Sequence, residues 1–398
     1  MLKTSESVTP LHPDKICDRI SDCLVDHCLE IDPDAKCGFE VAGGHGKIFV
    51  TGEFRSEKIN KEYLTDVAMS EISSLVGLDS GTIMYPSIAQ QSHFIAQGVD
   101  SGGAGDQGIM IGYATDSNPS MIPDELFWAR SLCQYLFEIF PYDGKTQITT
   151  RDGKIETVVA SFQNAPKEDL MVAVLAWLDP EVSEVIMPDD IVEEVKIYCN
   201  PAGDWSVGGF DADAGLTGRK IAVDSYGAGI PIGGGCFSGK DGTKVDRSGA
   251  YMARKLAVTL LKKLRLQECE VHLAYAIGIE QPVMAFFQGM SSRLGYVSGD
   301  VRDHVICDLS PAGVMKELNL KVPQFEEIAK WGSFGHNYLW DQPFSKEFYA
   351  KKNKEDQGGG DVSIQAPEEE TPEGGETDEG VSTDSQPDEQ RGDAKGGA

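Results

Sequence analysis

Four short stretches concentrate residues able to do chemistry, and all four suit a polyanion. His12-Pro13-Asp14-Lys15 opens a helical pattern, where free N–H groups and the helix dipole favour an anion. A His, an Asp and a Lys within four residues suit phosphate oxygens and one metal ion. Gly208-Gly209-Phe210-Asp211-Ala212-Asp213-Ala214-Gly215-Leu216-Thr217-Gly218-Arg219-Lys220 runs glycine-rich backbone into a cationic pair. Trp205, just ahead of it, offers a face that could stack on a purine. Gly233 to Arg247 places four glycines before Lys240, then Asp241, Lys244, Asp246 and Arg247, then a helix. Backbone N–H groups, cations and carboxylates together make a phosphate and magnesium site. The same stretch is nearly a P-loop, but Asp241 stands where Ser or Thr would hold magnesium.

The fourth stretch, Gly103-Ala104-Gly105-Asp106-Gln107-Gly108, matches the dinucleotide fingerprint letter by letter. That fingerprint needs a strand before it and a helix after it. Here Ile109–Ala114 reads as a strand, so the glycines are expected to allow close backbone approach to a ligand beside Asp106.

The bulk composition narrows the partners. Acidic residues outnumber basic ones 64 to 35 over 398 residues, a formal charge of −29. Such a surface repels phosphate backbones and anionic lipids, which argues against nucleic acid and membranes. No apolar run reaches the ~18 residues of a membrane span, and the first residues lack a signal-peptide pattern. The nine cysteines are scattered without a Cys-x-x-Cys pair, so core filling in a reducing cytoplasm is expected rather than a disulfide framework or zinc cluster.

The elements that must hold these stretches can be read from periodicity. Ile16, Ile20, Cys23, Leu24, Cys28 and Ile31 recur at helical spacing, with Pro13 in the first turn. Strands over 36–41 and 47–54 flank Gly43-Gly44-His45-Gly46 as a hairpin. Strands are expected over 155–162, 220–224 and 270–277, and helices over 167–178 and 247–266. Helices and hairpins mix without strict alternation, which makes the fold α+β. No internal sequence repeat is visible. From Lys351 to Ala398 large apolar residues almost vanish, so this acidic tail is expected to be disordered.

Taken together, the four stretches resemble, in order, the signatures of the S-adenosylmethionine synthetase family, and the resemblance spans about residues 3 to 350. It implies methionine adenosyltransferase activity: methionine sulfur attacks C5′ of ATP, and the triphosphate leaves and is cleaved to phosphate and diphosphate. It implies three similar two-layer α/β domains of β-α-β-β-α-β type wound around a pseudo-threefold, over 1–99, 100–207 and 208–350, before the tail at 351–398. A homodimer with shared active sites is implied, with its doubling to a tetramer left open.

The resemblance also assigns residues. His12, Arg219, Lys145, Lys240 and Lys244 would be catalytic, His12 donating to the departing O5′ and Arg219 orienting the triphosphate for its cleavage. Asp106, Trp205, Asp213 and Lys220 would complete the ATP site. Glu53, Gln91, Asp106, Asp213 and Lys244 would hold methionine. Asp14 and Asp246 would each bind one of two magnesium ions, and Glu40 a potassium ion. A thioether sulfur carries no proton, which agrees with the lack of a Ser-His-Asp or Cys-His arrangement.

The chain departs from the family pattern at Thr9-Pro10-Leu11, Asn164, Asp204, Phe210-Asp211 and His93-Phe94, and in a short loop from Gly98 to Gly103. Two other readings compete: a magnesium-dependent phosphotransferase using the near-P-loop, and a catalytically inactive relative serving as a binding or scaffold subunit.

Overall fold

The computed structural model describes residues 1–76, 83–91, 102–183, 185–186 and 188–345. All of these belong to a unit running Met1–Tyr349. His93, Phe94, most of the Gly98–Gly103 loop and the acidic tail lie outside the described residues.

The chain runs β1 (Leu2–Val8), α1 (Pro13–Ile31), β2 (Lys36–Gly44), β3 (Lys47–Arg55), α2 (Lys61–Val76) and β4 (Ile83–Gln90). It continues with β5 (Gly108–Thr115), α3 (Asp124–Ile139), β6 (Gly144–Arg151), β7 (Lys154–Phe162), α4 (Lys167–Leu178) and β8 (Ile191–Cys199). The remainder is β9 (Gly215–Leu216), α5 (Ile221–Asp224), α6 (Val245–Leu264), β10 (Glu268–Tyr275), β11 (Met284–Ser291), β12 (Gly295–Asp300), α7 (Pro311–Glu317) and α8 (Phe325–Trp331). Mixed helices and sheets of this kind are α+β, as expected.

Among the described residues three four-stranded sheets form, ordered β1-β6-β7-β8, β12-β11-β10-β5 and β4-β3-β2-β9. Each ends on a strand handed over from a distant stretch. β1 pairs antiparallel with β6, β5 with β10, and β9 with β2. Two of these donor strands are anchored from the back, α6 packing on β5 and β10, and α3 on β1 and β6. One core joins α1, α2, α6 and the sheets of β2–β3 and β10–β11; a second lies between α3, α4 and β6–β8.

Helix α1 is specified locally. His12 is its N-cap, its ring accepting from the Asp14 N–H, and Pro13 fills the first turn where no N–H is needed. Ile16, Ile20, Leu24 and Cys28 are buried, each aliphatic contributing about 1.5–3 kcal/mol. The β2–β3 hairpin turns on two residues rather than four. Gly44 still pairs with Lys47, and His45 and Gly46 have φ of 50° and 72°, the positive angles that a tight hairpin turn requires.

The strand expected over 220–224 is instead one turn of helix, α5. Its alternating apolar residues suggest a strand, but the turn places Asp224 against the buried Lys15 ammonium at 2.7 Å. The strand forecast after Gly108 is present as β5. The described cysteines are all free, and most are buried.

Candidate functional site

Helix α1 and the segment after β9 build the first half of the site. Asp14 is fully buried and accepts from the Leu216 N–H at 2.9 Å. Its carboxylate pairs with Lys220 Nζ at 2.5 Å and Arg219 Nε at 3.1 Å. His12 sits beside this pair. Burial and the neighbouring Lys220 lower its pKa from 6.5 to about 4, with Lys145 adding to the effect and Asp14 and Asp213 opposing it. Four sequence-nominated residues thus act on one imidazole, and Arg219 is tied to the group through Asp14. Lys145 itself pairs with Glu6 at 2.5 Å, and Asp213 is exposed, its carboxylate accepting from the Ala214 N–H at 2.7 Å.

The ring's tautomer follows from the cap. The Asp14 N–H donates to His12 Nδ1 at 3.2 Å, so the single proton of the neutral ring belongs on Nε2. A neutral imidazole with a free Nε2–H is a hydrogen-bond donor whose other nitrogen is already engaged.

The second half is a cleft of ≈170 Å³ whose lining includes Gln91, Asp106, Lys240, Lys244 and Asp246, with Lys36 as an unforeseen member. Lys240 pairs with Asp246 at 2.5 Å, and Lys244 pairs with Asp241. Gln91 Nε2 donates to Glu53 Oε1 at 3.0 Å, which ties Glu53 to the cleft. The glycine-rich loop ahead of Lys240 is stitched onto β2 by a bridge between Gly38 and Lys240 and by the Phe39 N–H donating to Gly239 O at 2.8 Å. Gly239 has φ +81°, and a Cβ there would lie 1.9 Å from Phe39 O, so the loop tolerates only glycine at that point.

Several readings need correction. Lys15 does not face a phosphate: it is 1% exposed and its ammonium is shared by Asp224 and Asp18. Asp241 is engaged by the fold: its buried carboxylate accepts from the Cys37 and Thr243 N–H groups, each at 2.7 Å. The close approach at Gly103 is to the chain's own backbone, since a Cβ there would sit 2.4 Å from Gly278. Asp106 beside it is nonetheless exposed in the cleft.

Trp205 and Glu40 are joined to neither half. Trp205 Nε1 reaches Asn200 Oδ1 at 3.4 Å and its ring lies against Gly208. Glu40 is exposed on β2 opposite Thr51, on the sheet face that also carries Glu53.

Sequence reading passed over a row of carboxylates on α1. Asp18 accepts from the Gly218 N–H at 2.8 Å, and Asp22 from the Gly239 N–H at 2.8 Å. Asp22 also receives the Arg247 guanidinium at 2.6 and 2.8 Å. Asp26 accepts from the Gln324, Phe325 and Glu326 N–H groups at 2.9–3.0 Å, capping α8. Burial pushes the Asp18 carboxyl up to about 7 against the opposing pull of Lys15. The signal available was spacing: 14, 18, 22 and 26 lie four apart, so they share one helix face.

The donor sets bear on metal binding. Among the described residues no group of three or more His, Cys, Asp or Glu side chains could cage an ion. Asp14 and Asp246 each present one carboxylate beside cations, which suits magnesium, an ion that completes its shell with phosphate oxygens and water.

Two glycine-rich loops thus gather lysine, arginine and single carboxylates in a strongly acidic protein. The particular family follows from comparison with known proteins. Residues 1–93, 101–205 and 207–343 match the models of the S-adenosylmethionine synthetase N-terminal, central and C-terminal domains. An S-adenosylmethionine synthase of Staphylococcus epidermidis is 40% identical over 380 residues, covering 84% of this chain and 92% of that protein. Proteins of the same name from Desulforudis audaxviator and Rhodospirillum centenum are 36% and 37% identical, each alignment covering 86% of this chain and 95% of the relative. The chain belongs to the S-adenosylmethionine synthetase family.

Proposed function

We propose that the chain is an ATP:L-methionine S-adenosyltransferase, forming S-adenosylmethionine and releasing phosphate and diphosphate. The observation that carries this reading is the His12 ring, neutral, oriented by the Asp14 N–H and set among Lys220, Lys145 and Asp14. Sulfur attack at C5′ needs no base. It needs charge on the departing triphosphate to be met by preorganised donors, each worth ~3–4 kcal/mol. His12 Nε2–H donates to O5′, and Lys145, Arg219, Lys220, Lys240 and Lys244 face the phosphates. Arg219, half-exposed and attached to Asp14, then orients the bound triphosphate for cleavage.

Asp14 and Asp246 would hold the two magnesium ions, and Glu40 a potassium ion. Magnesium, when bound, neutralises phosphate charge. Glu53, Gln91 and Asp106 hold the methionine ammonium and carboxylate, Asp213 and Lys244 complete that subsite, and Trp205 stacks on adenine. A homodimer in which each active site combines the His12 group of one subunit with the Gln91–Lys240 cleft of the other belongs to the same reading. Phe49 and Tyr85 stack at 4.8 Å while remaining 49% and 44% exposed, which supports an outer sheet face that a second subunit covers.

Three similar domains over 1–99, 100–207 and 208–350, arranged about a pseudo-threefold, account for the way each sheet receives one strand from another stretch. The order strand-helix-strand-strand-helix-strand occurs in β1–β4 and again in β5–β8. A cytoplasmic location completes the proposal.

The test is product analysis. Purified protein with ATP, methionine, magnesium and potassium should yield S-adenosylmethionine, phosphate and diphosphate. ADP or AMP formed without S-adenosylmethionine would point to a phosphotransferase. Bound but unreacted ATP would favour an inactive scaffold subunit.

A further inference from the structure

The carboxylates of α1 do something that the site residues do not. Asp14, Asp18 and Asp22 rise along one face at roughly 6 Å intervals, and each grips a backbone N–H of a loop that carries cations. Asp18 holds Gly218, immediately before Arg219 and Lys220. Asp22 holds Gly239, immediately before Lys240, and its bidentate partner Arg247 donates to Lys240 O at 2.9 Å. Arg247 is itself buried, with its guanidinium 4.0 Å from the centre of the Phe325 ring. Both cation loops therefore hang from one rigid helix by short charged hydrogen bonds, of the kind stronger than neutral ones. Neither Asp18 nor Asp22 is open to a ligand: they are 1% and 0% exposed.

We propose that Asp18 and Asp22 are positioning residues for the transferase reaction, Asp18 fixing the Arg219–Lys220 loop and Asp22 the Lys240 loop. The proposal rests on the roles given above to those cations. A displacement of about 1 Å at a reacting centre can cost roughly 10²-fold in rate, so losing one attachment matters even though every substrate contact remains. The two attachments separate by reaction step. Asp18 governs the loop assigned to triphosphate cleavage, and Asp22 the loop that meets the triphosphate during transfer. Asp26 is the internal control, because it caps α8 and touches neither loop.

The experiment compares Asp18→Ala, Asp22→Ala and Asp26→Ala in the full chain, with Arg219→Leu as a benchmark. Adenosyl transfer and hydrolysis of added tripolyphosphate are both measured at saturating substrate, and their ratio does not depend on the fraction folded. Asp18→Ala should lower the ratio of hydrolysis to transfer about tenfold, and Asp18→Asn, which keeps an oxygen for the Gly218 N–H, should restore most of it. Asp22→Ala should lower kcat for transfer about tenfold per folded molecule, while Asp26→Ala lowers only the unfolding temperature.

Should Asp22→Ala not fold, Arg247→Lys removes the fork but keeps the charge and should show the same loss of kcat. Asp18 and Asp22 variants that behave like Asp26→Ala, beside an Arg219→Leu that has lost hydrolysis, would overturn the positioning role and leave the site assignment standing. An Arg219→Leu that keeps full hydrolysis overturns the assignment of Arg219, and the role of Asp18 with it.

Discussion

The backbone N–H of Asp14 donates to Nδ1 of His12 at 3.2 Å, and this one contact both caps helix α1 and selects the imidazole tautomer. In the proposed mechanism one residue would serve both catalysis and helix initiation. With Nδ1 occupied and the pKa lowered to about 4 by burial and Lys220, Nε2 stays a neutral donor across the physiological range. Loss of one such donor costs about 10²–10³ in kcat. His12→Ala should therefore reduce kcat for S-adenosylmethionine formation by roughly that factor while the KM for ATP moves far less. The parent enzyme's kcat should show no His12 titration between pH 8 and pH 6. A kcat that halves near pH 6.5 and loses that step in His12→Ala would contradict the assignment.

The same lowered pKa has a consequence for stability, with a definite sign. Below pH 6.5 the unfolded chain takes up a proton at His12 while the folded protein does not until about pH 4. Stability attributable to this residue is therefore lost as pH falls through that window, by about 3 kcal/mol in all. His12→Gln should show a shallower decline of unfolding free energy between pH 6.5 and pH 4 than the parent. Chemical denaturation at several pH values gives the comparison; parallel curves would count against the depressed value.

Asp14 holds Lys220 and Arg219, and magnesium bound at its carboxylate would share those same oxygens. Asp14→Asn removes the charge but keeps an oxygen for the Leu216 N–H. It should raise the magnesium concentration needed for half-maximal activity at least about tenfold, on the scale of 1.4 kcal/mol or more for a lost charge-assisted contact. Magnesium titration of activity decides it, and chelation of the metal should abolish activity in parent and variant alike. An unchanged titration midpoint would remove Asp14 from the metal site.

Gly112 on β5 tests how the sheets are assembled. A Cβ there would lie 2.0 Å from the backbone carbonyl carbon of Ala253 in α6, closer than any side-chain adjustment could relieve. Gly112→Ala should push α6 off the strand and cost about 3 kcal/mol or prevent folding. Thermal unfolding measures this, and a variant with the parent's transition would mean that α6 does not seat on β5 as described.

The parts of this molecule legible from sequence share one physical property: they are local. The start of α1 was visible because His12, Pro13 and the apolar residues at helical spacing act within a few turns. The helix expected over 167–178 is present as α4, and the strand after Gly108 ruled out a dinucleotide fold. The cation loops were visible because glycine spacing and charge lie in one short stretch. Residues far apart in sequence, such as Gln91 and Lys240, could be grouped only through resemblance to a family.

What stayed hidden depends on partners distant in the chain. Nothing near Lys15 announces that Asp224 will claim its ammonium, 209 residues away, nor that Asp241 will be spent on the Cys37 N–H. A one-turn helix and a strand offer five residues nearly the same local pattern, and the buried charge of Lys15 favours the helix at 221–224. The handing of β1, β5 and β9 to other sheets is likewise unreadable from strand propensity, because a strand's sequence states which face is apolar and not which edge it will join. Chemistry and local form are thus written in the residues themselves. The pairing of strands and the burial of charges were chosen by long-range packing, where burying a carboxylate is tolerable only if a distant N–H or ammonium arrives to meet it.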